Sequence, residues 1–279
     1  MAYGEHRRRS DHAARVFGGF FEGLFLDSPV VLGLVKRFRD DLLETLYPPC
    51  CVVCRAGIVS GRFCDACEFD LREAEGRPQC RRCAAPVAAS DLPCQRCGGQ
   101  GYRLFESVVR LAVFEPPLAG LIHRLKFYHS WTLAEVLAER ALELDRMQAV
   151  LKRTDVLVPV PLHAWRQTVR GFNQADVIAM RLRAATGLSV ARVLLRHKRT
   201  AAQSQQTSRA ARFRNMRDAF VCVAPDSVAG RRVLLIDDVI TTGATLRAAA
   251  QAMESAKPAA INVFTLAAVD PKGAAFEYG

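Results

Sequence analysis

Nine of the ten cysteines lie between positions 50 and 97, and eight of them form four CxxC pairs: Cys51 with Cys54, Cys64 with Cys67, Cys80 with Cys83, and Cys94 with Cys97. A CxxC turn lets two sulfurs converge on one tetrahedral cation, and a second CxxC after a short hairpin closes the shell. The pattern therefore predicts two four-cysteine zinc sites. Nine residues separate Cys54 from Cys64 and ten separate Cys83 from Cys94, which reads as a tandem repeat of one zinc ribbon. Disulfides would require an oxidising compartment, ferredoxin-type clusters use a more compact run, and a redox CxxC would be single. Closed four-thiolate sites leave no open position for chemistry, so these zincs are expected to hold the fold together. A segment of under 50 residues needs that metal-derived free energy. Cys50 could replace Cys51 only through a CxxxC loop, so Cys51 is the expected ligand. Cys222, within the apolar stretch 220–223, reads as a small buried strand residue.

The second constellation is VLLIDDVITTGAT at 233–245. Asp237 and Asp238 directly follow an apolar run with the character of a buried strand, and Thr241, Thr242, Gly243, Ala244 and Thr245 lead into a helix-period segment. Hydroxyls, backbone N–H groups and a permissive glycine at a helix start form a cradle for a phosphate. Two carboxylates one step away accept hydrogen bonds from vicinal sugar hydroxyls or help hold Mg²⁺. A receiver domain carries its acidic pair after the first strand, and a Walker B strand needs a G-x-x-x-x-G-K-[ST] partner that this chain lacks.

These residues must be positioned by alternating elements. Strands are expected at 107–114, 155–160, 233–236 and 261–269, and helices at 118–127, 132–147, 173–186 and 246–256. Ala175, Ile178, Ala179 and Leu182 repeat at helical spacing before Gly187. The alternation predicts an α/β fold with a largely parallel sheet and helices on both faces, ligands sitting beyond the carboxyl ends of the strands.

The chain has 279 residues, half of them hydrophobic, enough for one substantial core and a small module. No apolar run approaches the roughly 18 residues of a membrane span; the stretch 16–35 is broken by Glu22 and Asp27. Arg7, Arg8 and Arg9 are not followed by a signal-peptide core, so a soluble cytoplasmic protein is expected. The net charge of +11 is concentrated: residues 151–217 hold 14 Lys or Arg against 2 acids. Such a segment points to a polyanion, either a phosphorylated metabolite or nucleic acid. The ribbon becomes negative once eight thiolates are set against two dications, which weakens the case for DNA binding there. The six histidines show no metal or triad spacing, and Trp131 and Trp165 read as packing residues.

The segments DVLVPVPLHAWRQTVRGFNQA, RTAAQSQQTSRAARFRN and VLLIDDVITTGATL, together with the four CxxC pairs, resemble the ComF family of competence-related phosphoribosyltransferases, over residues 46–269. The resemblance implies a type I phosphoribosyltransferase-like sheet preceded by a double zinc ribbon. The chain then divides into a helical leader at 1–47, largely outside the match, the ribbon at 48–100 and the transferase-like domain at 101–279. It implies that Asp237 and Asp238 meet the ribose of 5-phosphoribosyl-1-pyrophosphate (PRPP), that 241–245 holds its 5′-phosphate, and that Mg²⁺ accompanies it. It places Pro161, Leu162 and His163 where relatives bind pyrophosphate, with Arg170, Asn173 and Gln174 nearby. An Asn at a helix start is equally a cap. Residues 196–217, with seven Lys or Arg including Arg199 and Arg209 and no acid, become a basic hood over the site.

Two functions follow from the resemblance. One is transfer of a 5-phosphoribosyl group to a nitrogen acceptor with release of pyrophosphate. The other is a non-catalytic role in DNA uptake or natural transformation, binding single-stranded DNA or DNA-uptake and recombination proteins.

Overall fold

The computed structural model describes residues 49–88, 94–127, 131–162, 171–196 and 219–269. The described residues fall into two compact units, 49–51 with 55–62, and 52–54 with those from Phe63 onward. In the first unit, Cys51 N–H donates to Ala56 O at 2.8 Å, Arg55 N–H to Cys51 O at 2.9 Å and Ile58 N–H to Pro49 O at 3.0 Å, around a Cys50–Gly57 bridge. In the second unit the same pattern recurs 29 residues on: Cys80 to Ala85 O, Ala84 to Cys80 O and Val87 to Pro78 O, around a Gln79–Pro86 bridge. Arg55 and Ala84 both take positive φ, 69° and 59°. The expected tandem repeat is therefore present in the backbone itself.

The second unit is built on a five-stranded sheet: β1 (Ser107–Val113), β2 (Val156–Pro159), β3 (Ser189–Val190), β6 (Arg232–Ile240) and β7 (Ala260–Ala268), in the order β1-β7-β6-β2-β3. All its pairings are parallel. A separate antiparallel pair, β4 (Leu194–Arg196) with β5 (Phe220–Cys222), flanks the basic segment. The helices are α1 (Asp65–Gly76), α2 (Leu118–Phe127), α3 (Trp131–Leu142), α4 (Asp145–Leu151), α5 (Gln174–Thr186) and α6 (Ala244–Met253).

Buried side chains alternate along the strands, and the two faces are covered differently. Leu234, Ile236 and Phe264 pack with Leu71, Ile122, Leu137, Met147 and Ile178, so α1 to α5 share one face. Val233, Leu235 and Val263 pack with Ala249 and Met253 of α6, and with Cys83, Ala84, Cys97, Tyr102 and Phe105. The second ribbon thus forms part of the wall over that face. Each fully buried aliphatic side chain contributes about 1.5–3 kcal/mol by leaving water.

The edge strand β1 is capped by side chains and a ribbon carbonyl. Gln79 Nε2 donates to Val108 O and its Oε1 accepts from Arg110 N–H, while Val108 N–H donates to Arg81 O. Arg146 donates to the carbonyls of Arg110, Leu111 and Glu75. This edge is closed to further strand pairing.

Four expectations need correction. The helix expected at 132–147 breaks at Glu143 and Leu144, where Leu144 is extended and Gln148 Nε2 caps Leu142 O at 2.6 Å; the break lets Arg146 reach β1. β6 runs on to Ile240 rather than ending at Ile236, because β7 continues to pair with it through Ala268. Cys222 is only half-buried, on a two-stranded pair rather than in the main sheet. Trp131, expected in packing, is 56% exposed at the start of α3; Trp165 lies outside the described residues.

Candidate functional site

Val233, Leu234, Leu235 and Ile236 are fully buried, as a central strand between β2 and β7 requires. β2 ends at Pro159, in register with Ile236, whereas β7 still pairs with Asp237 through Thr265. Asp237 and Asp238 therefore lie on the part of β6 that has lost its β2 neighbour, at the carboxyl end of the sheet where ligands of parallel folds sit.

Both carboxylates are partly covered. Asp238 N–H donates to Asp237 Oδ1 at 2.8 Å, and Lys126 Nζ, from the last turn of α2, lies 3.1 Å from Asp238 Oδ2. Burial, and next the Asp238 carboxylate beside it, push Asp237 up to about 7, against the opposing pull of Lys126 and Arg196. Arg196 ends β4 at the foot of the basic segment, its guanidinium 5.4 Å from the centre of the Phe220 ring. Two crowded carboxylates, one of them paired with Lys126, can accept hydroxyl donors or a dication.

The loop after β6 turns into α6 at Gly243, which has φ +76° and supplies no side-chain cap. Thr242 is buried, and its Oγ1 accepts from Ala244 N–H at 3.3 Å. Thr241 and Thr245 are half-buried, Gly243 and Ala244 buried. The positive end of α6 thus follows the acidic pair closely in the chain, and a helix start of this kind can accept a phosphate.

At the end of β2, Pro161 and Leu162 are half-buried. Asn173 acts as the cap of α5, accepting from Ala175 N–H at 3.3 Å, and its Nδ2 donates to Val160 O at 3.0 Å. Gln174 is 1% exposed with Nε2 on Leu125 O, so it steadies the end of α2 just before Lys126. Both side chains are thus committed to the fold. His163, Arg170, Arg199 and Arg209 lie outside the described residues. A cavity of about 820 Å³ lined by Gln79, Arg81, Val109 and Arg146, among others, includes neither the acidic pair nor the loop.

The cysteines form two groups, Cys51, Cys54, Cys64 and Cys67, and Cys80, Cys83, Cys94 and Cys97, each with its ligand atoms within 4.8 Å of one another. Four sulfurs bound at about 2.3 Å to a tetrahedral zinc stand about 3.8 Å apart. The separations here are 3.6 Å for Cys54–Cys64, 3.7 Å for Cys80–Cys97 and 3.8 Å for Cys83–Cys94. A disulfide needs about 2 Å. Cys50 is exposed and stands outside the first group. In the second group the thiols pull on one another's protons. A hydrogen bond with Cys83 brings Cys80 down to about 5; the same bond and then burial push Cys83 up, and burial pushes Cys97 up. A dication supplies the charge that so many buried sulfurs need, and the donor set fits zinc.

Residues 42–98 match the double zinc ribbon domain, and residues 168–275 match the phosphoribosyl transferase domain. The DNA utilization protein YhgH of Escherichia coli strain K12 is 33% identical over 225 residues, covering 78% of this chain and 96% of its own. The chain belongs to the ComF family. Two further ComF-type relatives carry the competence name: competence protein F of Haemophilus influenzae, 29% identical over 78% of this chain and 96% of its own, and competence protein ComFC of Bacillus subtilis, 26% identical over 74% and 83%. Among solved structures, an adenine phosphoribosyltransferase superposes with a TM-score of 0.33 at 16% identity, over 53% of this chain and 76% of that one. The parallel sheet of this ComF-family chain, with helices on both faces and a ribbon before it, matches the expected architecture. Among the described residues no helix is long and apolar enough to cross a membrane.

Two residues beside the acidic pair and loop escaped the motif reading. Lys126 sits in an ordinary amphipathic helix, where a lone lysine carries no signal. Tyr102 lies against Gly243 and is preceded by GGQG, in which Gly98, Gly99 and Gly101 all have positive φ. That glycine run was the available sign of a tight backbone passage.

Proposed function

We propose that this ComF-family protein binds PRPP at the β6–α6 loop and transfers its 5-phosphoribosyl group to a nitrogen nucleophile, releasing pyrophosphate. The observation that carries the reading is the acidic pair at the open end of β6, running directly into a glycine-turned helix start. Asp237 and Asp238 accept hydrogen bonds from the ribose hydroxyls; Thr241, Thr242, Gly243, Ala244 and Thr245 hold the 5′-phosphate. The turn from Pro161 to His163, with Arg170 and the basic segment carrying Arg199 and Arg209, faces the pyrophosphate. The crowded carboxylates fit Mg²⁺, which when bound would offset the negative charge of the diphosphate. Lys126 holds Asp238 in place.

Catalysis on this reading is electrostatic. As pyrophosphate departs, positive charge grows on the ribose, and fixed carboxylates beside the ring with cations around the leaving group lower the barrier without a covalent nucleophile. A basic cover over the site strengthens those contacts by excluding water. We read 1–47 as a leader, 48–100 as the ribbon and 101–279 as the transferase-like domain, in a cytoplasmic protein.

Calorimetric titration tests the reading. Mg²⁺-dependent PRPP binding is expected for the native protein and its loss for Asp237→Asn combined with Asp238→Asn; undiminished binding by the double variant contradicts it. A second role, in DNA uptake alongside recombination proteins, is supported by the names of the relatives and by the 14 cations against 2 acids at 151–217. It predicts single-stranded DNA affinity that falls steeply with salt and with Arg209, Arg212, Arg214 and Arg217 changed to Ala.

A further inference from the structure

We infer that Tyr102 is a positioning residue for the phosphate loop, transmitting the order of the second zinc knuckle to Gly243. The inference rests on the phosphate-loop reading above. Gly243 is the residue on which the loop turns into α6, with φ +76°. A Cβ placed there would lie 2.5 Å from Tyr102 Cε1, 2.8 Å from Cζ and 3.0 Å from the hydroxyl oxygen, so the ring rests directly on the turning residue. Tyr102 is 3% exposed, and its ring is braced by Phe105, with centroids 5.6 Å apart.

The knuckle sets where that ring stands. Gly98 N–H donates to Cys94 O, and Gln100 N–H to Cys97 O. Gly101, with φ +63°, presses against Arg82, the residue just before Cys83; a Cβ at 101 would fall 2.4 Å from Arg82 Cβ and 2.5 Å from Arg82 O. Arg82 then donates to Gln100 O at 3.2 Å and Glu106 O at 2.8 Å, fastening the chain on both sides of Tyr102. There is no slack between the cysteines and the ring.

The same knuckle reaches the other end of the loop. Arg96, between Cys94 and Cys97, donates to Val269 O at 3.4 Å, and Val269 N–H donates to Ile240 O at 2.9 Å. The segment 241–242 is therefore fixed at Ile240 through Arg96 and at Gly243 through Tyr102. A cradle that waits in its binding geometry saves the ordering cost a mobile loop incurs on each binding event. Ordinary packing of a buried tyrosine predicts lost stability on truncation; positioning predicts a change localised to the loop.

The test uses the full-length, zinc-loaded protein with Tyr102→Ala and Tyr102→Phe. Zinc content should remain two per chain in both. In Tyr102→Ala, backbone hydrogen exchange at 241–246 should quicken by about tenfold while β7 is unaffected, and Mg²⁺-dependent PRPP affinity should weaken by a similar factor. Tyr102→Phe, which keeps the ring, should restore both. If Tyr102→Ala does not fold, Tyr102→Leu, which keeps an apolar side chain but removes the ring, should give the same localised change. Unchanged exchange at 241–246 in the folded variant overturns the inference, whatever its affinity. Quickened exchange in a protein that never binds PRPP upholds the positioning role and removes only the ligand assignment.

Discussion

The two cysteine centres share a backbone turn and a tetrahedral sulfur spacing, yet they are set in different surroundings. In the first, Cys54 is exposed and Cys64 half-buried; in the second, all four cysteines are buried, among Val108, Val158 and Leu235 of the sheet. The first leads into α1, which begins at Asp65 and is held by Arg140: that guanidinium is bidentate to Glu75 at 2.6 and 2.9 Å and bonds Glu68 at 2.7 Å. The second supplies core surface and reaches the loop between β6 and α6. A repeat therefore specifies metal geometry, and the residues around it decide what the metal supports.

Serine substitutions separate the two centres most sharply. Cys83→Ser and Cys54→Ser should each remove one zinc, measured by metal analysis. Cys83→Ser should also lower global stability by at least about 4 kcal/mol, because it loosens the wall of the core; Cys54→Ser should leave the main thermal transition and the exchange of 241–246 nearly unchanged. Equal losses would erase the distinction. Next in size, Arg140→Ala should cost about 3–5 kcal/mol by leaving Glu75 and Glu68 facing each other without their cation. Denaturant unfolding would detect this, and Arg140→Met should be milder because part of the apolar stem remains.

The acidic pair is a third region to set against these centres. Lys126→Ala removes the cation at Asp238 and should weaken PRPP binding by about tenfold, or about 1.4 kcal/mol, in calorimetry; unaltered affinity would place Lys126 outside the site. The smallest effect is on pH dependence. Asp237 is raised to about 7 in the folded chain, above the ordinary carboxylate range. The folded protein then keeps a proton that the unfolded chain has released, so this contribution to stability is present in acid and is lost as pH rises through about 7. Asp237→Asn should flatten that loss, by about 1 kcal/mol once partial exposure is allowed for, in unfolding curves between pH 5 and 8.

Much of the sheet was readable from alternation alone, since buried parallel strands such as 233–236 are continuous apolar runs and α5 carries its cap, period and terminal glycine in order. The break at Glu143 and Leu144 was not, because no glycine or proline marks it and what it serves, the contacts of Arg146 with carbonyls of β1, lies more than 30 residues away in the chain. Nor was the β4–β5 pair, whose three-residue strands are defined by each other across a 23-residue separation from Arg196 to Phe220. The CxxC spacing announced both zinc centres but carried no information about which one faced the sheet. Asp237, Asp238 and the following loop stood out as one contiguous motif. Lys126 and Tyr102 come from 100 or more residues away, and only the folded chain brings them there.

The central claim is that PRPP occupies the β6–α6 loop, and a hydrogen-exchange footprint tests it most directly. Adding Mg²⁺ and PRPP to the full-length protein should slow exchange at 237–246 and at 160–162, and leave the turns at 55–58 and 84–87 of the two ribbons unchanged. Saturable binding that protects residues elsewhere and leaves 237–246 at its free rate would contradict the account.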